Sequence, residues 1–236
     1  KILFQNSVTI RIWRNHFATS LPVLEQAFHA CLDFGDLVYG AYAIKHAPWL
    51  HLECGEQLER VVEVTQRYID FAHENRNDVV YHLDRLQQQF ALALQGKTRS
   101  LTDFNDAEFD EAGAVAVIEQ AGLLLGIAFY SIMKQIAAFI DEQYDEALEW
   151  AGRAAPLLVY VPSCANEATH YFYHAMTLAA IHGQATTEQQ RKFVQTIGEI
   201  LEKLKCWSDN CPENFANRHY LVSAEIARIE GRDMEA

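Results

Sequence analysis

The sequence has little of what breaks a helix: five prolines and eleven glycines in 236 residues. Chains built as sandwiches or barrels need turn residues at short intervals, so this scarcity argues against an all-β fold. Five scattered cysteines, an odd number, make a poor disulfide framework. Cys31, Cys54 and Cys164 stand in apolar surroundings, as small core thiols do, which suits a reducing compartment. Basic residues are the minority, 19 against 32 acidic, and a net charge of −13 repels a phosphate backbone, so nucleic acid is not an expected partner. No apolar run reaches the ~18 residues of a membrane span, and no leader with a cleavage site is visible. The expectation is a soluble, cytoplasmic protein without a membrane partner.

What is present is helix-forming. Half of the residues are hydrophobic, and Leu, Ala, Glu and Gln dominate with apolar positions three and four apart along nearly the whole chain. The pattern predicts a helix from Ile2 to His16 and another from Leu21 to Phe34, with Ser20 as cap and Pro22 in its first turn. After Gly35-Asp36 a helix runs to about Leu52, broken or bent at Pro48. Beyond Gly55 a long helix passes through Val61, Val64, Tyr68 and Phe71. A polar run from His73 to Asp78 separates it from one ending near Gln95. Residues 96–113 form the one long loop, a point of subdivision within an otherwise single helical domain spanning 1–236. Then come a very apolar helix from Ala114 to Ile140 and helices over Tyr144–Leu158, Asn166–Ile181, Thr187–Trp207 and Glu213–Glu230.

A helix, tight turn and helix recur with related residues: Ala30 to Ala41, Ala138 to Ala147 and Ala227 to Ala236. The stretch Gln143-Tyr-Asp-Glu-Ala-Leu-Glu-Trp-Ala-Gly-Arg-Ala154 resembles the second helix of a tetratricopeptide repeat. Tyr144, Ala147 and Ala154 match the aromatic and small positions that let antiparallel helices approach. The resemblance implies an all-α fold of antiparallel helix pairs stacked as a tetratricopeptide-like α-solenoid. The spacings exceed the roughly 34 residues usual for that repeat. Val159 stands where a closing proline is expected, and Lys134 replaces a leucine, so the array is irregular.

A second likeness lies at the end of the chain. Trp207, Cys211-Pro-Glu-Asn-Phe215 and the helix from Tyr220 onward are similar to a segment of bacterial, cyanobacterial-type multi-sensor signalling kinases. Gly35-Asp36, Phe109-Asp-Glu111 and Lys134 with Tyr144 to Ala147 extend that likeness over most of the chain. In that family an amino-terminal serine/threonine kinase and an ATPase domain precede a helical repeat region, and sensing and histidine-kinase domains follow it. The resemblance implies that this chain is part of the repeat region, a non-catalytic scaffold or sensor. None of the family's catalytic motifs is here. Lys1 in place of methionine, and an end at Ala236 where a helix is opening, fit a segment of a larger protein.

Local chemistry is sparse. Gly96-Lys-Thr98 resembles the end of a phosphate-binding loop, but Ala91 stands where the motif's first glycine belongs. Glu167, His170 and His174 share one helical face at metal-ligand spacing. No second Glu-x-x-His completes a di-metal bundle, so a packing face competes with a metal site. Cys206, Cys211 and His219 fall short of a four-ligand zinc site. His46 and His51 flank Pro48-Trp49, where they line a pocket or pack a kinked helix end. Asp103, Asn105, Asp106, Glu108, Asp110 and Glu111 crowd the loop, yet Ala107 and Ala114 occupy positions where an EF-hand needs ligands. The expected partner is therefore a protein, a peptide or a neighbouring domain of the same chain, with pairing of two copies also open, and no cofactor is expected. Two rivals remain: an effector-binding helical domain of a transcription activator and a metal-dependent helical enzyme.

Overall fold

A computed structural model describes residues 1–232 and is all-helical, with no strand among the described residues. Residues 233–236, the end of the third turn signature, lie outside them. The helices are α1 Ile2–Gln5, α2 Leu21–Asp33, α3 Leu37–Ile44, α4 Ala47–Glu53, α5 Leu58–Glu74, α6 Asp78–Leu94, α7 Glu111–Gln120, α8 Leu124–Ile140, α9 Tyr144–Ala154, α10 Ala165–Ile181, α11 Thr187–Asn210 and α12 Pro212–Ile229. Sequence neighbours pack most closely, α2 on α3, α5 on α6, α8 on α9 and α11 on α12.

The turns between them share one closure. At α2, α4, α5, α6, α7, α8 and α12 a residue with positive φ follows the helix, and the next N–H reaches back to a carbonyl five residues earlier. This is the closure that satisfies the last carbonyls of a helix without side chains. Gly122 is one such residue (φ 68°), and it divides the expected Ala114–Ile140 helix into α7 and α8. Glu142 adopts the same conformation (φ 59°) without being glycine, in the turn where the second signature lies. Helix starts are capped where the sequence offers an oxygen. Asp36 accepts from Tyr39 N–H, Asn77 from Val80 N–H, and Thr186 with Gln189 forms a reciprocal capping box.

Other expectations need correction. The predicted opening helix is only α1, continued by a wider turn over 6–10 and a tighter one over 11–13. Ser20 precedes α2, but its hydroxyl is buried and caps nothing. The break near Pro48 falls earlier, at Lys45-His46, because proline fits the first turn of α4, where no amide is needed. Pro156 likewise lies in a 3-10 stretch, 155–160, beyond the end of α9.

One hydrophobic cluster runs from Phe4 to Phe215 and includes Phe104 and Phe109 of the long loop, so that loop is anchored into the core. A smaller cluster joins α10, α11 and α12. The segment before α2 also meets the last two helices. Trp13 stacks on Phe215 (centroids 5.1 Å) and lies 5.2 Å from Trp207, and Trp13 Nε1 donates to Ser163 O at 2.9 Å. Helix α4 touches α10. A purely linear stack has contacts only between adjacent repeats, and here the segment before α2 meets α11 and α12.

Candidate functional site

Helix α8 is buried over most of its length, and Lys134 lies in that buried stretch. A lone ammonium there would be costly, and the fold gives it partners. Lys134 Nζ donates to Glu111 Oε1 at 2.9 Å and to Thr102 O, and lies 4.6 Å from the centre of the Phe104 ring. The two charged side chains are only 7 % and 9 % exposed. Glu111 is the first residue of α7, where a helix favours negative charge. Its Oε1 also accepts from Tyr130 Oη at 2.8 Å, and its Oε2 accepts from Phe104 N–H at 2.9 Å. Burial, reinforced by the Glu111 charge and this hydrogen bond, pushes the Tyr130 phenol up, so it stays protonated.

Asp103, Asn105 and Asp106 bond mainly to backbone and side chains of the loop and its flanking helices. Asp103 Oδ1 accepts from both the backbone and side-chain amides of Asn105, which hold its carboxyl below the usual range. Asp106 accepts from Glu108 N–H and from Gln89 Nε2, and Asn105 Oδ1 accepts from Glu111 N–H. Carboxylates bound to amides in this way organise a turn.

Beside this buried pair a cleft of about 670 Å³ opens between α7, α8, α9 and the 155–160 stretch. Its walls carry Val115, Ile127 and Leu157, with the rings of Tyr130 and Trp150. The exposed Arg153 guanidinium lies 4.5 Å from the centre of the Trp150 ring, a cation–π contact at the mouth. Lys134 and Glu111 occupy each other and the loop backbone, and the cleft beside them presents aromatic surface and the Arg153 guanidinium.

Of the residues that sequence spacing grouped as metal ligands, His170 and His174 stay side by side, ring centroids 5.7 Å apart, while Glu167 and His170 each bond to another group. His170 is buried, its Nδ1 2.9 Å from Gln135 Oε1, while Gln135 Nε2 donates back to His170 O. Burial, with the neighbouring His174, pushes its imidazole down to about 3. His174 is also pushed down by burial. Glu167 turns to the start of α10, where Oε2 accepts from Ser163 N–H at 3.2 Å. Among the described residues no group of three His, Cys, Asp or Glu is placed to hold a metal, neither here nor at Cys206, Cys211 and His219. His46 is buried between the rings of Phe4 and Phe129, at 5.6 and 5.5 Å. His51 faces Glu56 at 2.8 Å. Gly96 ends α6 with φ 69°, and Thr98 donates to Ser100 O, so Gly96-Lys-Thr is a helix stop.

Two arrangements have no signal in sequence spacing. Asn214, inside the Cys-Pro-Glu-Asn-Phe segment, accepts from Phe17 N–H at 3.0 Å and donates to Ile12 O at 2.7 Å and Asn15 O at 2.9 Å. Glu53 on α4 pairs with Arg218 on α12, 165 residues away, and also accepts from Trp49 Nε1 at 2.9 Å and from Thr169 Oγ1. No family model matches this chain, and neither curated proteins nor solved structures give a significant match.

Proposed function

We propose that this chain is a non-catalytic interaction segment of a multidomain signalling kinase, an irregular tetratricopeptide-like array of antiparallel helix pairs that takes a partner polypeptide in the cleft beside Trp150. The supporting observation is that cleft. It is walled by three consecutive helices, open, lined by Val115, Ile127 and Leu157 beside the Lys134–Glu111 pair, and marked by Arg153 on Trp150. Aromatic and arginine side chains over an apolar floor are what protein recognition uses. The kinase context rests on the Trp207 and Cys211–Phe215 segment and on the turn signatures. The effector-binding domain of a transcription activator shares the helical array and differs in its neighbours.

A photo-crosslinking residue at Ala116, in the cleft wall, tests the reading in the intact parent protein. The expected product is an adduct to a polypeptide, either a neighbouring domain or a second protein, that disappears with Arg153→Glu. No polypeptide adduct, or one indifferent to Arg153→Glu, refutes the cleft as an interaction site. The coding sequence on either side separates the two contexts: kinase modules support the first, and a downstream helix-turn-helix selects the activator.

A further inference from the structure

Four charged side chains line the cleft beside Trp150: Glu111, Glu119, Lys134 and Arg153. Two of them are already matched. Lys134 and Glu111 are buried against each other at 2.9 Å, so together they add no net charge to the wall. The other two are exposed and stand on different helices, Glu119 in the last turn of α7 and Arg153 in the last turn of α9. Among the described residues Glu119 makes no ion pair and no side-chain hydrogen bond. Arg153 makes no ion pair among them either; its guanidinium lies against the Trp150 ring and its N–H groups have no protein acceptor. Both charges nevertheless act on the Tyr130 hydroxyl, in opposite senses.

A polypeptide laid over the cleft covers both charges. A charge taken out of water without a counter-charge is costly, so the occupant that binds best brings a carboxylate to Arg153 and a cation to Glu119. A carboxylate also suits the fork of a planar guanidinium whose donors are unused. The apolar wall residues Val115, Ile127 and Leu157 come from α7, α8 and the 155–160 stretch, and the cleft, about 670 Å³, has room for a bulky apolar side chain. Opposite charges on two walls also fix which way round a segment lies, since the reversed one sets like charge against like.

We propose, on the reading of this cleft as an interaction site, that its partner is a peptide segment in which an apolar residue stands between a basic and an acidic one. The basic side chain faces Glu119 on α7, and the acidic one faces Arg153 on α9.

The photo-crosslinking residue at Ala116 in the intact parent protein captures the segment, and tandem mass spectrometry of the adduct reads its sequence. The crosslinked segment is expected to carry an apolar residue with a basic and an acidic residue on opposite sides of it, each within about four positions. Glu119→Arg, a change at an exposed position, is expected to lower the adduct yield about fivefold without altering the circular dichroism spectrum. A lysine in place of the segment's acidic residue should lower the yield likewise, and Arg153→Glu should restore it for that changed segment alone. Three results overturn the assignment: a crosslinked segment lacking either charge, an adduct yield unchanged in Glu119→Arg, or no recovery of the charge-reversed segment by Arg153→Glu. Each of these leaves the cleft an interaction site with a partner of different chemistry, whereas the absence of any polypeptide adduct removes the interaction site and this assignment together.

Discussion

Asn214 holds Phe17 across nearly the whole chain: its Oδ1 accepts the Phe17 N–H at 3.0 Å although the two are 197 positions apart. The same side chain donates to Ile12 O and Asn15 O, so its three hydrogen bonds all go to one segment before α2. Phe215 beside it stacks on Trp13 and meets Phe17 edge-on at 5.6 Å.

Asn214→Ala strands two buried backbone groups, Phe17 N–H and Ile12 O, and loses the part-buried bond to Asn15 O. The expected loss is about 2–4 kcal/mol of unfolding free energy, read from the urea midpoint. Asn214→Asp is not expected to rescue it, because a carboxylate faces the carbonyls of Ile12 and Asn15. Amide exchange at Phe17 should accelerate in both variants; an unchanged rate would show that the contact carries no stability.

Lys134→Leu restores the residue the repeat pattern expects, yet it should destabilise. It leaves Glu111 charged and buried, held only by Phe104 N–H and Tyr130 Oη. A loss of about 3 kcal/mol is expected, since removing one partner of a buried pair costs more than the pair contributes. The double variant Lys134→Leu, Glu111→Gln should recover most of it in the same urea titration. Equal stability of the single and double variants would refute the pairing as drawn.

Two buried histidines should make the fold lose stability on acidification above the range in which ordinary carboxylates titrate. His46 and His170 are pushed down to about 3 by burial first and by a neighbouring cation or imidazole second, from an ordinary 6.5. Between those values the unfolded chain binds protons that the folded chain refuses, so stability falls as pH drops from 6.5 toward 3 and is unaffected by these groups above 6.5. His46→Phe keeps a ring between Phe4 and Phe129 and removes one proton site. The slope of unfolding free energy against pH should flatten by up to about 1.4 kcal/mol per pH unit in that window, measured by denaturation at several pH values. A slope identical to the parent's would contradict a buried neutral His46.

How far the sequence could be read depends on range. Helices α5, α6, α10, α11 and α12 follow from apolar periodicity and nearby breakers, because both signals lie within a few residues of what they determine. The division at Gly122 was hidden by its setting, Ala121-Gly-Leu-Leu-Leu125, where apolar residues continue on both sides of the stop. Pro48 marks a real joint but misplaces it by a few residues, and the helix expected over Tyr144–Leu158 ends at Ala154 just before Pro156, since proline is as much at home just inside a helical turn as at a break. The site was less legible. Lys134 stood out only as a departure from a leucine, and nothing local points to Glu111, 23 residues earlier. Glu167, His170 and His174 have metal spacing along one helix, but Glu167 bonds to its own helix start and His170 to Gln135 on α8, and neither partner can be inferred from that spacing.

The contact of Asn214 with the segment before α2 also has a consequence in time. During synthesis, Ile12, Asn15 and Phe17 emerge long before their partner, and their polar groups must wait in water until α12 has left the ribosome. Closing so long a loop costs entropy that grows only slowly with length, but it has to be met before the bonds repay it. The early helix pairs can form as they appear, whereas the Trp13, Trp207 and Phe215 cluster belongs to the last step. A translation arrest before Asn214 would therefore leave a chain whose local helices are made and whose ends have not met.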